Sequence, residues 1–367
     1  AAIARYGWLF PQIIVGYLAQ QSRRRLPLYM AGAFGRVACL VGVVGLVATA
    51  GDRPGPGAIA TFFLLWSVYA FVSGIVAVPY NDIVARLIAS ERRSRMLAIR
   101  FFGGGLLALG VAGIADKVVD ALTFPVGYAV VLMVGALLLL ASSLSFVSAG
   151  EPEAPQSPER VRGFRRFLRT GLEVFRVDRR FRLFLYAQWL SGGVTMALPF
   201  YLLQATAGPD TSSYVGVFLG AQTVGALMAN PLWGWWGDVR GKRSLLEAAA
   251  ALGVLAPLLT LAWIATDHSA PVLPWFVVVF AVLGAVGNGQ TIAYLGYLME
   301  ISPDDRRPAY SGYFNALAAP ATLLPIVGAA IAEAASYSAV FAVSAAAAVL
   351  QLLTVRRLRS VKSGGDM

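Results

Sequence analysis

Apolar residues in this chain run in long blocks rather than in strand-like alternation. Eleven stretches, roughly 1–20, 26–50, 58–84, 96–118, 124–149, 181–206, 212–237, 243–266, 271–299, 309–334 and 337–356, are each long enough to cross a bilayer as a helix. The polar segments between them are short and unequally charged. One alternate set carries Arg23, Arg24 and Arg25; Arg92, Arg93 and Arg95; nine arginines from Arg160 to Arg182; Arg240, Lys242 and Arg243; Arg306 and Arg307; and Arg356, Arg357, Arg359 and Lys362. The other set carries only Arg53 and Lys117. The positive-inside rule assigns the first set to the cytoplasm. The C-terminus is then inside, and an odd number of crossings places residue 1 outside. Since the chain also begins without Met, one further helix is expected before Ala1, giving twelve in the intact protein. The start shows no cleavable signal-peptide pattern.

Composition narrows the class. Of 367 residues, 58% are hydrophobic and 13% charged, and mean hydropathy is +0.68, which excludes a soluble globular domain. The net charge of +11 sits beside apolar runs, so it points to a bilayer partner and away from nucleic acid. A single cysteine, Cys39, and a single histidine, His268 in a short loop, leave no disulfide framework and no Cys/His metal site. HExxH, P-loop and nucleophile-elbow patterns are absent, so no enzyme is expected.

The apolar runs 212–237 and 243–266 are joined by Gly234-Trp-Trp-Gly-Asp238-Val-Arg-Gly241-Lys242-Arg243. Gly234 permits close helix approach, Asp238 supplies a charge for a neighbouring helix N-terminus, and Gly241 permits the turn. Lys242 and Arg243 hold the hairpin on the cytoplasmic face. The spacing G-x-x-x-D-x-x-G-x-R resembles the signature loop of the major facilitator superfamily, found there between helices two and three and again between eight and nine. A degraded copy lies 218 residues earlier: Gly16, then Gln20 in the acidic position, Arg23 in that of the second glycine, and Arg25. Glu91-Arg92-Arg93 and Asp305-Arg306-Arg307 form a second pair of landmarks, 214 residues apart. These near-equal offsets predict two six-helix bundles in the same orientation. The expected fold is all-α, two bundles of the facilitator type with eleven of twelve helices present. The N-terminal bundle is read at 1–150, a cytoplasmic linker at 151–180 and the C-terminal bundle at 181–367. Within the linker, Phe164, Phe167, Leu168, Leu172 and Phe175 recur at helical spacing among arginines. They predict an amphipathic helix, resting on the inner leaflet or solvated as a charged linker.

The resemblance implies alternating access around a polar cavity lined by helices one, four, seven and ten. The last three correspond here to 58–84, 181–206 and 271–299. Trp66, Tyr69, Ser73 and Tyr80 share one face of the first. Gln188, Ser191, Thr195 and Pro199 recur along the second. Gly287-Asn288-Gly289-Gln290-Thr291 interrupts the third at mid-span, followed by Tyr294 and Tyr297. Gln290 shares the face of Tyr294, while Asn288 turns away. Gln222, Asn230 and Asn315 are second-rank candidates. Interhelical packing is the competing role for all of them. Arg36 is a mid-depth charge, expected to bond backbone carbonyls or an interior polar group. Asp82, Arg86, Arg100, Glu247 and Glu300 near the cytoplasmic ends, and Asp116 and Glu333 near the external ends, read as gate and interface charges. The resemblance also implies that Asp238 meets the start of helix five near Arg95, with Arg100 one turn further in, as a one-sided latch that Gln20 cannot match.

The subfamily stays open. The Gly-Pro pair of drug–proton antiporters is absent, and Val78-Pro79-Tyr80 with Arg93 and Arg100 only distantly resembles sugar–cation symporters of the melibiose type. The expected protein is a monomeric permease of the cytoplasmic membrane for a small organic solute, without a cofactor. No mid-membrane carboxylate is visible, so proton or cation coupling, or uniport, remains open. The alternative is a lipid-handling or non-transporting member.

Overall fold

The computed structural model describes residues 11–49, 54–122, 124–152, 163–208, 211–267 and 270–358. Expectations for residues 1–10, Arg53, Arg160, Arg162, His268, Arg359 and Lys362 lie outside them. Fifteen α-helices are described: α1 Pro11–Gln21, α2 Leu26–Thr49, α3 Pro56–Leu87, α4 Ser90–Ala121, α5 Val126–Ser148, α6 Phe164–Val177, α7 Arg179–Thr195, α8 Leu198–Ala205, α9 Val215–Val239, α10 Lys242–Gly253, α11 Leu255–Ala265, α12 Val272–Ile301, α13 Arg307–Ala318, α14 Leu324–Ala334 and α15 Tyr337–Arg357. Among the described residues, nine helical stretches are long and apolar enough to cross a membrane. The protein is an all-α, multi-pass membrane protein.

Proline explains where the predicted spans are broken. The stretch expected to be one helix over 181–206 is two, α7 and α8, with Pro199 in the first turn of the second. Proline removes an amide donor and suits a helix start, so the chain pauses at Met196 and Ala197 and restarts. Between α13 and α14, Ala319–Leu323 is a 3₁₀ turn containing Pro320, and Pro325 opens α14. The linker helix α6 is separated from α7 by Asp178, whose carboxylate accepts from the Arg180 and Phe181 backbone N–H groups at 2.9 and 3.0 Å. That is an N-cap, and it starts α7 two residues before the expected boundary.

The chain forms two compact units, neither of them a continuous stretch. One comprises 1–88, 107–171 and 302–319; the other comprises 89–106, 172–301 and 320–367. In the first unit, Gly32 and Gly35 of α2 face Val72 and Val76 of α3, and Tyr29 packs on Phe146 of α5. In the second, α9 and α12 are nearly in backbone contact. A Cβ on Gly225 would lie 2.1 Å from the Ala281 carbonyl oxygen, and one on Gly284 would lie 1.8 Å from that of Gln222. Only glycine allows this approach. An aromatic core of Tyr201, Phe218, Trp263, Phe276, Phe280 and Phe341 fills the same unit.

The apolar face of α6 is not simply laid on lipid. Phe167 is fully buried, packed on Tyr17 of α1 and Tyr313 of α13 with ring centroids 5.3 and 4.5 Å away. Gly171 lies beneath the same Tyr313 ring, while Leu168 and Leu172 remain exposed. Periodicity marks an apolar face but does not say what covers it.

Candidate functional site

The hairpin 234–243 is built by close packing and one turn. Gly241, the N-cap of α10, has φ +87°, a conformation that side chains rarely adopt, so glycine is required there. Gly234 faces Ala98 and the Arg95 backbone of α4, and Gly237 faces Ser94. This approach delivers Asp238 to the first turns of α4. The Ser94 and Arg95 backbone N–H groups donate to Asp238 Oδ1 and Oδ2, each at 2.9 Å. The carboxylate therefore meets helix amides and the positive end of the helix dipole together. Lys242 Nζ lies 3.9 Å from Asp238 and donates to the Ser90 carbonyl, so the cation beside this carboxylate is Lys242. Arg95 contributes its backbone amide, and Arg100 lies over the Phe101 ring at 5.9 Å instead of completing an ion pair with Asp238.

The degraded copy makes its own version of this contact. Gly16 of α1 faces the Pro308 carbonyl and Gly312 of α13, and a Cβ there would lie 2.9 Å from that oxygen. Gln20 Nε2 donates to the Asp305 carbonyl at 3.1 Å, immediately before α13. Two turns earlier, Asn315 Nδ2 donates to Gln12 Oε1, both residues being buried. Gln20 thus replaces a charge with an amide and keeps a cross-chain bond, so the contact is not confined to Asp238. Gln12 went unread in the sequence; nothing distinguished its amide from the apolar helix around it.

Beside this junction is a buried charge cluster. Asp82 of α3 is 1% exposed. Arg25 Nε donates to it at 3.2 Å, Arg86 donates from one turn on, and Arg307 Nη1 approaches to 3.7 Å. Glu151 completes the set. It accepts from the Arg25 and Leu26 backbone N–H groups, capping α2, and lies 3.6 Å from Arg86. Arg307 also binds Asp304. Three buried guanidiniums thus face two buried carboxylates, and the third opposing carboxylate, Asp304, lies at the surface; pairing of this kind lowers the cost of burying the charges. Asp82 and Arg86 could be read as an i, i+4 pair; Glu151 had been read only as part of the linker.

The polar stripes are divided between bonding and openness. On α3, Phe62, Trp66 and Tyr69 stack in series with centroids 6.1 and 5.3 Å apart, and Ser73 Oγ is buried with no partner among the described residues. Tyr80 turns elsewhere, onto Phe146. On α7, Ser191 Oγ donates to Gln290 Oε1 of α12 at 3.0 Å, leaving Gln290 Nε2 buried and unpartnered among the described residues. Thr195 and Thr291 bond back to carbonyls of their own helices, Gly192 and Gly287. Asn288 donates to Asn230 of α9 at 3.1 Å, an interhelical bond. Tyr294 packs on Phe184. Arg36 donates to Ser143 of α5 at 3.4 Å, and its Nε is buried without a partner among the described residues.

The sequence model described as Major Facilitator Superfamily matches residues 206–365. The whole chain is similar in fold to solved members. One is the transporter FucP in its outward conformation, at TM-score 0.74 and 14% identity over 97% of this chain and 88% of that one. Another is the proton:xylose symporter XylE bound to a sugar analogue, at TM-score 0.73 and 14% identity over 97% and 84%. The chain has the major facilitator fold, and its C-terminal part matches the superfamily's sequence model. A bacterial homologue of the iron transporter ferroportin in its outward-facing state is also similar, at TM-score 0.74 and 15% identity over 98% of this chain and 89% of that one. Uncharacterized proteins of Mycobacterium tuberculosis and Mycobacterium bovis are 25% identical over 259 residues, 69% of this chain. The chain spans about half the length of these curated relatives, 50% by alignment. At Gly16 to Arg25 the degraded copy of the hairpin 234–243 retains the close glycine contact.

Proposed function

We propose that this protein is a monomeric secondary transporter of the facilitator superfamily that moves a small organic solute across the cytoplasmic membrane by alternating access. The observation that carries the reading is the pair of contacts joining the two sequence halves at their arginine-rich ends. Asp238 holds the start of α4, and Gln20 with Gly16 holds the start of α13. Each contact is small, polar and reversible, as a gate requires, and each would have to part when the cytoplasmic side opens. The Asp82 cluster reinforces the second through Arg307.

The substrate side is assigned to the stacked Trp66 and Tyr69, to Ser73, and to Gln188, Ser191, Thr195, Gln290, Thr291 and Tyr294. Gln188 makes no side-chain hydrogen bond among the described residues, and Gln290 has an unused donor. Ring faces and amides suit a neutral polar solute with an apolar face. A proton or cation could couple through a residue outside the described ones. Purified protein in proteoliposomes, screened across solute classes by thermal shift and then by radiotracer flux, tests this. A solute taken up by the parent, with affinity weakened in Gln188→Ala and Gln290→Ala and slowed turnover in Asp238→Asn, supports it. Lipid flip without solute flux would favour a lipid-handling protein instead.

A further inference from the structure

The linker helix α6 carries three different surfaces side by side. Counted from Phe164 at about 100° per residue, Phe167 and Gly171 point to about 300° and 340°, Leu168 and Leu172 to about 40° and 80°, and Arg165, Arg176 and Arg169 to about 100°, 120° and 140°. The first pair forms the buried seam against Tyr17 and Tyr313. Next to it runs the leucine strip, 36% and 50% exposed, with Phe164 at its inner edge. The three arginines border the strip on its outer side. All are exposed, and none forms an ion pair or donates a side-chain hydrogen bond among the described residues. Glu173, the one acid of the helix, lies beyond them at about 180°. The second half of α6 is also fastened. Phe175 packs on Tyr186 of α7 at 6.0 Å, and Arg182 donates to the Phe175 and Arg176 carbonyls at 3.2 and 2.5 Å. With the helix held by its other residues, the leucine strip stays turned outward.

The contacts of the seam also fix the level of α6. Tyr17 is four residues from the end of α1 at Gln21, and Tyr313 is six from the start of α13 at Arg307. At about 1.5 Å per residue they lie ~6 and ~9 Å in from the arginine-rich helix ends, the depth at which headgroups give way to acyl chains. An apolar strip bordered by arginines at that depth matches a bilayer surface, with stems among the chains and guanidiniums at the phosphates. Four arginines against one glutamate suit a negatively charged surface. We propose that Leu168 and Leu172 enter the inner leaflet and that Arg165, Arg169 and Arg176 bind the phosphate groups of its anionic phospholipids. The contact is independent of what the protein transports.

The full chain in a Cys39→Ala background is labelled with bimane at Leu172→Cys or, on the opposite face, at Glu173→Cys. Each is placed in phosphatidylcholine nanodiscs with increasing phosphatidylglycerol, a fixed share of lipid carrying a headgroup-level nitroxide as quencher. The Leu172 label is expected to be quenched severalfold more than the Glu173 label, saturably with phosphatidylglycerol, and less at roughly 0.5 M salt. Arg165→Gln and Arg169→Gln each raise the phosphatidylglycerol needed for half the effect about fivefold. A helix fastened only to its own protein would show neither the lipid-charge dependence nor its loss in these exposed variants. Equal quenching at the two positions, or quenching indifferent to phosphatidylglycerol, overturns the proposal. So does a Leu172 label that lipid leaves unquenched and added polyglutamate shields, which would mark a face for an acidic protein.

Discussion

Asp82 and Asp238 are both carboxylates near helix ends, yet their surroundings give them different work. Asp82 is buried among Arg25, Arg86 and Arg307. Asn in its place keeps the volume but leaves the guanidiniums opposed by less charge, and breaking a buried pair costs about 3–5 kcal/mol. Asp82→Asn is therefore expected to lower the melting temperature in detergent clearly; a change within about 1 °C would contradict the cluster's role. Asp238 makes two charge-assisted bonds at a partly exposed site. Asp238→Asn keeps one acceptor and loses one, about 1–2 kcal/mol, a 5- to 30-fold shift in a two-state equilibrium. Its expected effect is on conformation, read as longer distances between spin labels at the arginine-rich ends, with little loss of melting temperature. The Asp238 contact was legible because a spaced motif carries its geometry. The Asp82 cluster was not, because its partners Arg25 and Arg307 are brought in by tertiary packing alone. Its sequence neighbourhood announced only Arg86.

Among the elements, α6 shows how one apolar pattern serves two surfaces. Phe167 is enclosed by Tyr17 and Tyr313, while Leu172 of the same helix is half exposed. Phe167→Ala should destabilise the protein by about 3 kcal/mol, and Leu172→Ala by less than about 1. Thermal melts of the two variants decide; equal effects would return α6 to a lipid-resting linker. Contacts between α9 and α12 give a second test. An added methyl at Gly284 meets backbone, which cannot rotate away, so Gly284→Ala should cost about 1–3 kcal/mol or prevent folding. Gly287 has open space around its Cβ position, and Gly287→Ala should melt like the parent or slightly higher. The spans were readable from length and hydropathy; the α7–α8 and α13–α14 breaks were not, since 181–206 and 309–334 were each expected as one helix, although Pro199 and Pro320 mark them. Which of many glycines bear a neighbouring backbone was not readable, because proximity depends on helix pairing.

At the scale of the whole molecule, orientation follows from the alternating loop charge, and it can be measured. In a Cys39→Ala background, Glu173→Cys on α6 should react with an impermeant thiol reagent only after the membrane is opened. Leu122→Cys, in the poorly charged set of loops, should react in intact cells. Labelling of Glu173→Cys from outside would reverse the topology. The bundle repeat was visible as two landmarks at near-constant offset. The exchange of segments was not: residues 89–106 cluster with the second unit and residues 302–319 with the first. That assignment depends on which helix ends lie together, which spacing along the chain does not encode.

The exchange has a consequence for how the protein is made. Gln12 of α1 waits for Asn315, which follows it by 303 residues. At about 5–20 residues per second, the ribosome needs roughly 15–60 s to supply that partner. Through that interval the Gly16 face of α1 stands uncovered in a nascent chain whose other early helices have already been inserted. A chain arrested near residue 300 would hold it open, and release of α13 would close it. The first unit is thus begun by α1 and finished only when a partner 303 residues further along the chain arrives.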